Sequence, residues 1–351
     1  MTFEEFIMQA REMNASDIHL TVGAPTVVRV NGELRKYTEL SDQVVNRTIL
    51  SILSAEQEKM LTEGKDIDFS FELKNGARQR VNVFRQSGKL AACIRLLNAE
   101  IPTLEELKMP PVLLEFAKKR RGLVLVTGPT GAGKSTTLAA LMEYINKTRA
   151  CHVITIEDPI EYRYKQEKAT IHQRELGRDV PSFHEPLRSA LREDPDVILI
   201  GEMRDYETIS LAMTAAETGH LVFGTLHTSS AAQTVDRIID ACPIHSQDQV
   251  RSQLASMIQG IIAQTLIPRA DGKGRVAAVE VMIGTDAIRN LIRSAKINMM
   301  ETTMAAGARD GMCTLNASLA NLYKTGQISY ETALEYATDR GEMEKKLLSG
   351  I

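Results

Sequence analysis

The residues best suited to chemistry are Gly128-Pro129-Thr130-Gly131-Ala132-Gly133-Lys134-Ser135, followed by Thr136. A glycine, four open positions and Gly-Lys-Ser make the spacing of a phosphate-binding loop. Glycines let the backbone curl so that its N–H groups face an anion, and a helix start behind them adds a favourable dipole. Lys134 brings a fixed positive charge for β- and γ-phosphates, and the Ser135 hydroxyl suits Mg²⁺. The apolar run LVLVT precedes the loop and a helical pattern follows it, which is the strand–loop–helix context the motif requires. By itself the loop is equally compatible with a kinase, a GTPase or a motor.

Three further segments supply acids and bases. Asp196-Val-Ile-Leu-Ile-Gly201-Glu202 reads as a buried strand ending in a carboxylate. Glu202 is expected to hold or polarise the Mg²⁺ shell, through water. Val153-Ile-Thr-Ile-Glu157-Asp158-Pro159-Ile160-Glu161 is a second strand with an acidic end. In a parallel sheet the strand C-termini gather on the ligand side, so this cluster is expected beside the loop. Glu157 or Glu161 would orient the attacking water as general base, and the sequence does not rank them. His220 and His227 flank a short strand, and residues seven apart on an extended run face opposite sides. One is expected near the γ-phosphate and the other at a helix or subunit contact. A metal pair is not expected, because no third ligand stands at a useful spacing.

These groups need elements to hold them. Leu123–Thr127, Val153–Ile156, Val197–Ile200 and Leu221–Thr225 are apolar runs that alternate with helical stretches, as in a parallel α/β sheet. From Thr285 to about Asp339 the pattern is helical, with Gly326 closing one helix and Ser329 capping the next. The first ~98 residues differ. Thr26–Val30, Asp66–Glu72 and Arg80–Phe84 alternate apolar and polar positions, with turn signals at Asn31-Gly32 and Asn75-Gly76. Phe3, Ile7 and Ala10 recur at helical spacing, and Thr2 with Glu5 fits a capping box. Between the two regions, Asn98–Pro111 reads as a linker with three prolines around a short TLEELK helix.

Composition narrows the partners. The 351 residues are 43% hydrophobic and 25% charged, an ordinary globular balance, and the length suggests two domains. A formal charge of −3, 5% aromatics and no tryptophan argue against nucleic acid and against a nucleic-acid motor with a basic, aromatic channel. The acidic residues near Met1 exclude a signal peptide, and no apolar run approaches the ~20 residues that cross a bilayer. A cytosolic protein is expected. The four cysteines lie far apart without a CxxC pair, so neither zinc nor a disulfide framework is expected.

Taken together, GPTGAGKST, ITIEDPIEY, LIGEMRD and AAETGHLVFGTLHT resemble the secretion and type IV pilus ATPase superfamily in order and spacing. The N-terminal ASDIHL and RVNVFRQ segments extend the resemblance over most of the chain. It implies an α/β protein with a PAS-like α+β domain over residues 1–98 and a linker over 99–111. A RecA-like P-loop domain over 112–351 would follow, helical from about residue 285. It also implies a homo-hexameric ring that hydrolyses ATP with Mg²⁺. Arg80 and Arg95 match the family's N-terminal arginines that reach the nucleotide of the same or a neighbouring subunit. A permanent charge and a planar fork suit them to phosphate oxygens. Ala132 replaces a common serine of the loop, with little consequence expected.

Two features point to the retraction branch. The extra N-terminal region and four-cysteine zinc insertion typical of secretion and pilus-assembly ATPases are not found, and Ala287–Ile292 matches the AIRNLI motif of retraction ATPases. On its own residues that segment is an amphipathic helix with Ile288, Leu291 and Ile292 inward and Arg289-Asn290 outward. The implied activity is ATP-driven retraction of type IV pili, with pilus assembly or type II secretion as the alternative. The implied setting is an inner-membrane platform protein contacted from the cytoplasmic face.

Overall fold

A computed structural model describes residues 3–30, 32–97 and 100–348. Thr2 and Asn31, and the first residues of the expected linker, lie outside the described residues. The chain divides into two compact units, one running to Glu100 and including Pro159–Arg163, the other made of Ile101–Asp158 and Tyr164 onward.

The first unit contains α1 (Phe3–Glu12), β1 (Ala15–Thr21), β2 (Val27–Val30), β3 (Glu33–Lys36), α2 (Asp42–Leu50), α3 (Ala55–Thr62), β4 (Ile67–Glu72), β5 (Arg78–Gln86) and β6 (Lys89–Leu96). Its strands form one antiparallel sheet in the order β3-β2-β1-β6-β5-β4. Alternation decides the faces. Ile18, Ile94 and Val81 stand opposite one another in register, all fully buried, and share a core with Phe6, Ile7 and Ala10 of α1 and Val45 and Ile49 of α2. The other face carries Asp17, Arg95 and Arg80 in one cross-strand row. At Asn75-Gly76 the expected turn forms, with Gly76 at φ 83° and the Asn75 side chain accepting from the Ala77 N–H at 3.0 Å.

The second unit begins differently from expectation. TLEELK makes turns rather than an α-helix. Thr103 and Glu106 form the reciprocal bonds of a helix start, at 2.8 and 3.2 Å. The chain then reverses at Lys108, which has φ 55°, and Pro110-Pro111 cannot donate the N–H groups that would extend a helix.

Its elements are α4 (Leu113–Ala117), β7 (Gly122–Thr127), α5 (Lys134–Thr148), β8 (His152–Glu157), β9 (Thr170–Glu175), α6 (His184–Ala190), β10 (Val197–Ile200), α7 (Tyr206–Glu217), β11 (Leu221–Leu226), α8 (Ala231–Asp240), α9 (Gln247–Met257), β12 (Ile258–Pro268) and β13 (Arg275–Ile283). Helices α10 (Asp286–Arg293), α11 (Met300–Ala306), α12 (Leu315–Lys324), α13 (Tyr330–Glu335) and α14 (Arg340–Leu348) follow. Gly326, at φ 69°, follows α12, and Ser329 caps α13 by accepting from the Thr332 N–H at 3.1 Å. The sheet runs β13-β12-β7-β11-β10-β8-β9, parallel except for the β12–β13 hairpin. Apolar clusters cover both faces, so β7, β10 and β11 are buried throughout.

In α10 the buried residues are Ile288, Leu291 and Ile292, as the pattern implies. Arg289 departs from expectation. It is half-buried, and its Nη2 donates at 3.2 Å to the carbonyl of Ile258, the C-cap of α9; only Asn290 faces outward. The long side chain lies beside Ile292 on the helical wheel and supplies a donor to a helix-end carbonyl.

The β12–β13 hairpin carries polar groups on both faces, because Gln264 pairs with Val279 while Glu280 pairs with Ala263. Glu280 is buried, and its Oε1 accepts from the Ala231 N–H, the first residue of α8, at 2.6 Å; the Leu315 N–H of α12 adds a second bond. Burial pushes this carboxyl above the usual carboxylate range, with the charge of Glu301 adding and the two backbone bonds opposing. A raised value means the folded chain holds this proton more tightly than the unfolded one. Its contribution to stability is therefore present at low pH and lost as pH rises from the ordinary carboxylate value through the raised one. Glu280→Gln keeps the shape without the ionisation, so its melting temperature should gain on that of the parent between pH 5 and pH 8. Calorimetric melts of both proteins give the answer, and a difference that ignores pH would mean Glu280 titrates like an exposed carboxyl.

Candidate active site

The loop after β7 takes its shape from three glycines in the left-handed region, Gly128 at φ 142°, Gly131 at 79° and Gly133 at 89°. A Cβ at Gly128 would collide with the Gln264 carbonyl of β12, so only glycine lets the loop leave the sheet there. Gly133 is the N-cap of α5, and Lys134, Ser135 and Thr136 form its first turn. The Lys134 Nζ donates to the loop's own carbonyls at Gly128, 2.8 Å, and Pro129, 3.1 Å.

Parallel strands bring the other groups to the same end of the sheet. Glu202 lies just past β10 and His227 just past β11. Glu202 Oε1 accepts from Arg204 Nε at 2.5 Å and lies 2.8 Å from His227 Nε2. Burial pushes the Glu202 carboxyl up, but the hydrogen bonds and charges of Arg204 and His227 outweigh it and leave the group below the usual carboxylate range. With Pro129 and Thr130 of the loop, and with Arg237 of α8, these residues line an open cleft of about 670 Å³. The cleft can take an anionic group at the loop and present it with a carboxylate, an imidazole and two guanidinium groups.

The acidic box spans both compact units. Glu157 ends β8, and its Oε1 accepts from Thr155 Oγ1 at 2.6 Å and from Gln173 Nε2 at 3.2 Å. Glu161 belongs to the other compact unit, where its neighbour Arg163 lies 3.8 Å from Glu72. Pro159 cannot extend β8, and the division between the two units falls after Asp158. The histidines also separate. His220 Nδ1 lies 2.9 Å from the Ala215 carbonyl at the end of α7, away from the cleft that His227 lines. Arg80 and Arg95 are direct cross-strand neighbours in the first unit, paired with Asp68 at 2.6 Å and with Asp17 at 3.0 Å. Arg204 and Arg237 escaped the sequence reading; the position of Arg204, two residues past Glu202, was the available signal.

A family model described as "Type II/IV secretion system protein" matches residues 1–344. The chain belongs to this family. It is 49% identical over 96% of its length to the type IV pilus retraction ATPase PilT of Pseudomonas aeruginosa, covering 98% of that protein. It is 48% identical over 90% of its length to a twitching motility protein of Neisseria gonorrhoeae, covering 85% of it. A crystal structure of the pilus retraction motor PilT with bound ADP superimposes with a TM-score of 0.91 at 47% identity, covering 98% of this chain and 99% of the other. The protein is thus a nucleotide-binding ATPase with an N-terminal domain followed by a RecA-like domain.

The balance at Glu202 is open to test. In Arg204→Ala, burial is opposed by His227 alone, so the carboxyl should titrate at higher pH than in the parent. Carbon-13 NMR of side-chain-labelled glutamate reads the midpoint, and an unchanged one would show that Arg204 does not set the charge of Glu202.

Proposed function

We propose that this chain is a mechanochemical ATPase that powers type IV pilus retraction, returning pilin to the membrane as the pilus disassembles. It works as a homo-hexameric ring, docked on an inner-membrane platform protein at the cytoplasmic face. The observation that carries this reading is likeness to a retraction ATPase at 49% identity over 96% of the chain. Residues 1–98 form the PAS-like domain, 99–111 the linker and 112–351 the ATPase domain.

In this reading the loop Gly128–Gly133 holds the phosphates and Lys134 exchanges its two carbonyl partners for β- and γ-phosphate oxygens. Among the described residues no group of three His, Cys, Asp or Glu side chains could hold a metal. One hydroxyl from Ser135 and one partly engaged carboxylate from Glu202 fit Mg²⁺, which takes few protein oxygens and completes its shell with water and phosphate. When bound, that ion would neutralise charge on the phosphates. Glu157, in the same unit as the loop, orients the attacking water, and Glu161 is the alternative. His227 reaches the γ-phosphate side of the cleft, whereas His220 steadies the end of α7. Arg80 and Arg95 supply further phosphate charge; the Arg80–Asp68 pair is exposed on both sides and worth ~1 kcal/mol or less, so phosphate can displace it, whereas Arg95 is exposed but its partner Asp17 is buried.

Among the described residues no helix is long and apolar enough to cross a membrane, so membrane attachment is assigned to the platform protein.

Lys134→Ala should fold normally, lose ADP affinity at least tenfold and hydrolyse no ATP, whereas Glu202→Ala should retain nucleotide and lose turnover. Fluorescent-ADP titration beside a phosphate-release assay separates the two, and parent-like turnover in Lys134→Ala sinks the loop assignment. In the cell, deleting the gene should leave abundant surface pili and no twitching. Loss of pili would identify the chain instead as an assembly motor.

A further inference from the structure

A buried side chain on β12 reaches the loop from the core. Gln264 is almost fully buried, and both ends of its amide are engaged. Its Nε2 donates to the Ala132 carbonyl at 2.7 Å, and its Oε1 accepts from the Thr137 hydroxyl of α5 at 2.9 Å. The strand that holds it is bound to β7 on one side and β13 on the other, so the amide is fixed to the sheet.

We infer that Gln264 is the positioning residue that sets the loop's phosphate-facing amide. A trans peptide is planar, and its C=O and N–H point in opposite directions. Drawing the Ala132 carbonyl toward β12 therefore turns the Gly133 N–H away from the strand, toward the outer side where Thr130 and Gly131 are exposed. Gly133, at φ 89°, lets the chain accept that peptide orientation and still enter α5. The Thr137 hydroxyl matters as much as the amide. The Ala132 carbonyl only accepts, so it turns Nε2 to the loop, and the Thr137 hydroxyl anchors the other end by donating to Oε1; a reversed amide would set its oxygen against that carbonyl. Gln264 thus fixes both the distance and the polarity of the clamp. Its own carbonyl borders Gly128, so one residue bounds both ends of the loop.

The inference rests on this loop being the phosphate site. The Lys134→Ala titration above tests that reading alone, and ADP binding unaffected there would remove the basis for both. The test of Gln264 itself uses the full chain and fluorescent ADP. Gln264→Met fills the same volume without either bond, and Thr137→Val removes the hydroxyl that anchors the amide's oxygen. Gln264→Met should weaken ADP binding about tenfold and Thr137→Val about threefold, with the double variant no weaker than Gln264→Met. Because loop amides hold phosphate in ground and transition states alike, KM should rise while kcat stays within about threefold. A merely structural residue would instead lower melting temperature and active fraction with KM unchanged. If Gln264→Met folds and binds ADP within twofold of the parent, the inference is wrong. If it fails to fold, Thr137→Val decides alone, and an affinity indistinguishable from the parent overturns the inference.

Discussion

A loop that offers backbone amides to an anion cannot use those amides to hold itself together. Everything around Gly128–Gly133 follows from that constraint. The shape must come from conformations that only glycine takes easily, from a buried strand on one side and a helix on the other, and from bonds made by carbonyls rather than N–H groups. The chain meets these demands with one N–H, that of Ala132, spent inside the loop on the Pro129 carbonyl at 3.1 Å. Gly128, Gly131 and Gly133 have positive φ, β7 is buried over its whole length, and the carbonyls of Gly128, Pro129 and Ala132 are taken by Lys134 and Gln264. Binding β7 between β11 and β12 makes the position of the loop a property of the sheet rather than of the loop sequence.

The same sheet explains why acids and bases far apart in sequence share one cleft. Parallel strands all end on the same side, so Glu202 after β10 and His227 after β11 arrive together without any side chain being steered there. The antiparallel hairpin adds what parallel strands do not. With Gln264 on one face and Glu280 on the other, it touches the loop and the start of α8, the helix that carries Arg237. A displacement of β12 and β13 would therefore be felt on both sides of the cleft.

Much of this was legible in the sequence because glycine spacing and uninterrupted apolar runs have few structural solutions. The loop, four of the parallel strands and the strand-end positions of Glu202 and His227 follow from them. The hairpin was not legible. Strand β12 starts directly after α9 with no turn residue between Met257 and Ile258, and an apolar run such as IIAQTLI fits helix or strand. Its signal was the lone glutamine, and in AAVEVMI the lone glutamate, since a polar side chain inside a buried run must find partners. The division of the acidic box between units was not legible either. Sequence adjacency of Glu157 and Glu161 suggested one cluster, and the boundary between the two compact units falls between them, after Asp158. Arg289 misled because a charged residue beside an apolar stripe was read as solvated, whereas its long side chain reaches a helix-end carbonyl.

The charges of Glu202, Arg204 and Lys134 are balanced locally rather than left bare. Arg204 and His227 hold Glu202, and loop carbonyls hold Lys134. Any cation or phosphate that engages these groups must exchange one set of partners for another, so its binding free energy is the difference between two good arrangements. That makes affinity modest for the number of charges involved, and it makes the arrangement of Arg204 and Lys134 depend on what occupies the cleft. A ligand can drive a conformational change only through contacts that differ between states. Arg204, on the short segment that joins β10 to α7, is one group whose release from Glu202 would be passed directly to a helix, through Asp205, the N-cap of α7. In a motor the useful quantity is that difference in contacts, and the paired charges of Glu202, Arg204 and Lys134 supply it at every exchange.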